Sequence, residues 1–118
     1  METGHIRKCV NANKMYFKAF SEKNLTALLN IYSTHVTLTD WTGQWVTVDE
    51  VITENSNFFQ NNFNLIVNNI VVAVDDNMSM VKTLNDITIE IGNESINVID
   101  EILFDKDGKI YSITATKK

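Results

Sequence analysis

An α+β fold, helices first and a curved antiparallel sheet after, is what this sequence predicts. Three observations carry that reading. The first third places apolar residues at helical spacing. The second half is rich in Val and Ile in runs of strand length. Turn residues separate those runs and set the strands antiparallel.

Cys9, Asn13, Tyr16 and Phe20 form one helical stripe, and Ile6, Val10, Phe17 and Phe20 form its neighbour, so a first helix is expected over about residues 5–21. Asn24 can cap a short second helix carrying Leu25, Leu28, Leu29 and Tyr32. Val36 to Asp40 reads as a short strand and Thr42-Gly43-Gln44 as a turn. Thr47-Val48-Asp49-Glu50 is a capping box for a third helix with Val51, Ile52, Asn55, Phe58 and Phe59 at helical spacing. Leu65 to Val74 is a strand, Asp75-Asp76-Asn77 a turn, and Met78 to Ile91 a long strand expected to be bent or bulged. Gly92-Asn93 and Asp105-Lys106-Asp107-Gly108 are hairpin turns around strands Glu94–Phe104 and Lys109–Thr116. A long curved sheet needs its concave face covered, and three helices can do that while leaving a conical hollow.

The 118 residues suit one domain, 1–118, and the net charge of −5 comes with no basic block. That argues against nucleic acid or an anionic membrane as partner. Met1 to Lys8 lacks the apolar core of a signal peptide, no apolar run reaches membrane-spanning length, and Cys9 is the single cysteine. A cytoplasmic protein is expected. One sheet face is left for something other than helices to cover, which points to a homodimer.

The strongest chemical signal is Asp100. Ile96, Val98, Asp100, Ile102 and Phe104 share one face of a strand, and the acid is its only polar member. A carboxylate there is costly unless paired, hydrogen-bonded or protonated. Val36, Leu38 and Asp40 repeat the pattern. Two acids on apolar faces suggest a dry pocket with tuned acid–base groups.

Three stretches together resemble the nuclear transport factor 2-like superfamily, also described as SnoaL-like or ketosteroid-isomerase-like. They are Tyr16-Phe17-Lys18-Ala19-Phe20 with Asn24-Leu25-Thr26-Ala27-Leu28, then Val36-Thr37-Leu38-Thr39-Asp40-Trp41-Thr42-Gly43, then Asp100 to Ile110. The likeness implies a cystatin-like cone: a curved antiparallel sheet whose concave face is covered by three helices from the N-terminal half. Within the superfamily the pattern is similar to ketosteroid isomerase, which uses a first-helix Tyr and a strand Asp as an oxyanion hole and a second Asp, before a short turn ending in Gly, as base. By that resemblance Tyr16 and Asp100 are the oxyanion donors and Asp40 the base, with Trp41 standing where that enzyme has Pro. Proton transfer next to a carbonyl needs such a base and such donors, and Asp100 must be neutral to donate. Neither cofactor nor metal is called for.

Trp41, Phe58 and Phe59 are expected to line the pocket around the third helix, and Asn13 and Asn55 to add polar groups. The ligand would be a small apolar or carbonyl-containing compound. Blander roles stand beside these. Tyr16 suits a core tyrosine, Asp40 a turn-forming acid, and Asp100 a structural acid bonded to a neighbour. A non-catalytic module binding a small apolar metabolite fits the same residues, as does a structural dimer whose hollow is filled by its own side chains. His5 and Cys9 have a helical metal spacing but lack further ligands, and Asp105-Lys106-Asp107-Gly108 lacks the calcium-loop pattern.

Overall fold

The computed structural model describes residues 2–74 and 80–118. In chain order its elements are α1 (Glu2–Ser21), α2 (Leu25–Ile31), β1 (Tyr32–Asp40), β2 (Gly43–Trp45), α3 (Val48–Phe58), β3 (Phe63–Val74), β4 (Val81–Ile91), β5 (Glu94–Phe104) and β6 (Ile110–Lys117). The expected turn at Asp75-Asp76-Asn77 and the expected strand start at Met78 lie outside the described residues.

Local chemistry starts and stops these elements. Asn24 Oδ1 accepts from the Ala27 amide at 3.0 Å and opens α2. Thr47 Oγ1 accepts from the Glu50 amide at 3.1 Å and opens α3. The return half of that box is shifted, because the Glu50 carboxylate takes the Val46 amide rather than the Thr47 amide. Gly92 and Gly108 have φ of 58° and 77°, the left-handed conformation their hairpin turns need.

The strands form one curved, unclosed sheet in the order β2-β1-β6-β5-β4-β3. All neighbours are antiparallel except β1 and β6, which run parallel. On β5, Val98, Asp100, Ile102 and Phe104 are buried while the residues between them are not, so the alternation expected of this strand holds. On β4 the inward set is Val81, Thr83, Asn85 and Ile87. Lys82 and Asp86 turn outward, where they pair with Glu101 (3.6 Å) and Lys118 (3.0 Å). α1 packs over β3 and β4, and α3 over β1 and β2. Between helices and sheet lies the core, which includes Cys9, Leu28, Val36, Val51, Ile102, Phe104 and Ile110.

Three expectations need correction. Tyr32 is not on the second helix. It closes α2 with its backbone amide on the Leu28 carbonyl, turns extended (φ −75°, ψ 140°), and begins β1 opposite Ile110. The turn after Asp40 is Trp41-Thr42, with Gly43 and Gln44 already paired in β2. The bulge lies at Val67–Asn69 of β3 rather than in β4, which runs in unbroken register with β5.

Candidate active site

Asp100 enters the site because β5 keeps its alternation: between Val98 and Ile102 the side chain can only face the helices. Tyr16 comes from the buried stripe of α1, and Asp40 from the last position of β1. All three line one cavity of about 200 Å³. Its walls are apolar, with Phe17, Leu38, Ile87, Val98 and Ile113 among them. Trp41 and Thr42 are the exposed members of the lining and mark its mouth, whereas Tyr16 and Asp100 lie at its buried end. The open volume sets aside the reading in which the protein fills its own hollow.

The two acids sit in opposite surroundings. Asp100 is 6% exposed, and no protein group bonds its carboxyl oxygens among the described residues. Burial, and then the charge of Asp40, pushes its pKa from 3.8 to about 7. Asp40 instead holds three donors on Oδ1: the Thr42 amide (2.6 Å), the Thr42 hydroxyl (2.7 Å) and the Gly43 amide (3.2 Å). They occupy one oxygen, and Oδ2 has no protein partner among the described residues. One carboxyl is thus pushed toward its protonated form by its site, while its neighbour is held by the donors of a turn.

Tyr16 keeps its proton. Burial, followed by the neighbouring Tyr32 phenol and the charge of Asp100, raises its pKa well above the ordinary value. Its hydroxyl is paired with the Tyr32 phenol. Tyr32 lies alongside, with ring centroids 6.3 Å apart, and donates to Asn55 Oδ1 at 2.6 Å. Asn55 therefore lines the cavity with its carbonyl already engaged.

Of the expected lining residues, Trp41, Phe58 and Asn55 are brought to the cavity and two are not. Asn13 is fully buried in a polar network behind it, donating to Asn85 Oδ1 (2.8 Å) and accepting from Thr83 Oγ1 (2.7 Å). Asn85 in turn donates to the Asp100 carbonyl at 3.1 Å, so this network braces the backbone that carries the acid. Phe59 packs away from the cavity, edge-on to Phe20 at 4.8 Å and stacked with Phe63 at 6.1 Å. Phe58 stays, because it lies one residue earlier on the turn of α3 that faces inward.

Two residues that sequence reasoning missed belong to the site. Glu54 lines the cavity, and burial and then the charge of Asp40 raise its pKa. Its spacing four residues before Phe58 puts it on the same helix face and could have revealed it. Tyr32, the partner of Tyr16, was hidden by its assignment to a helix. Elsewhere, Cys9 Sγ lies 3.8 Å from His5 Nε2, and burial pushes the thiol up to about 11. Asp105 Oδ1 is spent on the Asp107 and Lys109 amides of its hairpin. Among the described residues no three His, Cys, Asp or Glu side chains converge as metal ligands. No helix among them is long and apolar enough to cross a membrane.

Comparison with solved structures places this architecture. A protein of the NTF2-like family from Streptomyces avermitilis, provisionally assigned as a dehydratase, superposes with a TM-score of 0.80 over 100% of this chain and 99% of that one, at 15% identity. A protein provisionally assigned as a ketosteroid isomerase, from Kribbella flavida, gives 0.73 over 95% and 78%, at 9% identity. The Orange Carotenoid Protein of Anabaena, solved with canthaxanthin, gives 0.79 over 88% of this chain and 34% of that one, at 16% identity. The chain therefore has the nuclear transport factor 2-like fold, a cystatin-like architecture. No protein-family profile matches the sequence, and no curated protein does.

Proposed function

We propose that this protein binds a small, largely apolar carbonyl compound and moves a proton next to the carbonyl. Asp40 Oδ2 takes the proton from the carbon beside the carbonyl, and the electron pair moves onto oxygen. Tyr16 O–H and neutral Asp100 O–H donate to that enolate oxygen. Asp40 then returns the proton to another carbon of the same conjugated system, so the reaction is an isomerisation and consumes no co-reactant. The observation that carries this reading is Asp100, a buried carboxyl with no hydrogen-bond partner among the described residues, at the end of an apolar cavity with a phenol beside it. Preorganised donors of this kind act in a water-poor site, where they are worth most.

The test is conversion of a small β,γ-unsaturated ketone to its conjugated isomer, followed by ultraviolet absorbance. Asp40→Asn should abolish turnover while leaving the fold intact by circular dichroism. Equal turnover in wild type and variant would reject the mechanism.

A second reading is a non-catalytic binding module in which the acids only orient an apolar metabolite. The bonds from the Trp41-Thr42 turn to Asp40 favour it, since they already give that acid a structural task. It predicts a modest affinity change for Asp40→Asn and no conversion of any carbonyl compound. On either reading the protein acts as a cytoplasmic homodimer. The outer sheet face offers Ile66 and Val71, both exposed, beside half-buried Leu84, Ile99 and Leu103, and a second copy would cover them.

A further inference from the structure

The charges lining the cavity itself are one-sided, although the cation Lys117 stands at its rim. Among the described residues its ionisable lining consists of Asp40, Glu54 and Asp100, with Tyr16 neutral and no Lys, Arg or His. Glu54 has no hydrogen-bond or ion-pair partner among the described residues, and it stands on α3 near the mouth. The aromatic ring at the mouth already holds a cation: Lys117 Nζ lies 4.8 Å from the centroid of Trp41. Asp100, buried and without a hydrogen-bond partner among the described residues, points to a ligand at the other end. A compound seated here would meet oxygen-binding donors at its inner end, hydrocarbon along its length, and negative charge with an aromatic face at its outer end.

We infer that the cavity selects by charge: it takes an apolar, oxygen-bearing ligand with a protonated amine at its outward end, and Glu54 sets that preference. The inference rests on the reading that the inner end of the cavity receives a ligand oxygen. A carboxylate at the outward end would face Asp40 and Glu54 together, and repulsion between like charges a few ångströms apart is strong where solvent is partly excluded. An ammonium would gain from both acids and from the Trp41 face, in competition with Lys117.

Three probes share one inner end: 2-naphthol, 6-aminomethyl-2-naphthol and 6-carboxy-2-naphthol. Their dissociation constants are read from naphthol fluorescence at neutral pH. The amine should bind about 10-fold or more tighter than the acid, with 2-naphthol between them. Glu54→Gln should narrow the ratio of amine to acid by about 3-fold or more. Equal binding of the amine and the acid, or a ratio unmoved by Glu54→Gln, would overturn the inference. If 2-naphthol binds while the order fails, charge selection falls and the oxygen-binding reading stands. If none of the three binds, both fall together.

Discussion

Replacing Asp100 by Asn measures the cost of placing a carboxyl in this cavity. The side chain is 6% exposed, and burial, with the charge of Asp40 second, raises its pKa from 3.8 to about 7. A carboxyl with a higher value folded than unfolded binds its proton more tightly in the folded state. Its contribution to stability is intact below pH about 4 and is lost as pH rises through about 7. Each tenfold change in proton affinity corresponds to about 1.4 kcal/mol, so the loss reaches about 4 kcal/mol by pH 8. The amide of Asn does not titrate, and it retains a donor for the cavity. Urea unfolding of wild type and Asp100→Asn at intervals from pH 4 to 8 isolates the effect, because the other carboxyls largely cancel in the difference. Wild type should lose about 4 kcal/mol relative to the variant across that range, at roughly 1.4 kcal/mol per pH unit in its middle. A difference that stays flat would mean that Asp100 ionises as an ordinary surface acid, and its role as donor would be refuted.

Further expectations concern its neighbours. Tyr16→Phe removes one donor to the enolate oxygen and should lower turnover by about 10²–10³-fold. It should cost about 0.5–1.5 kcal/mol of stability, the worth of the side-chain bond to Tyr32 that goes with the hydroxyl, and thermal unfolding checks this. Thr83→Val breaks the brace behind the site, leaving Asn13 Oδ1 short of a donor in a fully buried place. That should cost about 1–3 kcal/mol in denaturant unfolding, and a variant as stable as wild type would deny the network its structural part.

How far the sequence discloses this protein depends on the range of the interaction involved. β5 runs from Glu94 to Phe104 as its alternation and flanking turns demand, and the inward direction of Asp100 follows from that alone. Asn24 and Thr47 announce their helices through bonds three residues long. Asp40 at a strand end before a tight turn is equally local. What stays hidden is set by partners distant in the chain. Tyr32 has helical company in Leu25 and Leu28, yet pairing with Ile110 draws it into a strand, and no local pattern forecasts a parallel β1–β6 neighbour. Asn13 shares the α1 stripe with Tyr16, but only the inward turn of Thr83 and Asn85 decides that it is consumed behind the cavity. Phe58 and Phe59 are adjacent and alike and both pack against Phe20, yet with the end of α3 between them only Phe58 reaches the cavity. The convergence of Tyr16, Asp40 and Asp100 on one hollow could be expected by resemblance. Glu54 at its mouth required the helix to be placed first.

A crystal structure of the protein soaked with 2-naphthol would examine that convergence at the atoms concerned. The naphthol oxygen should lie within hydrogen-bond distance, about 2.5–3.0 Å, of both Tyr16 Oη and an Asp100 carboxyl oxygen, with its ring against the apolar wall below Trp41. A naphthol oriented with its oxygen toward solvent, or an empty cavity at saturating ligand, would contradict the account.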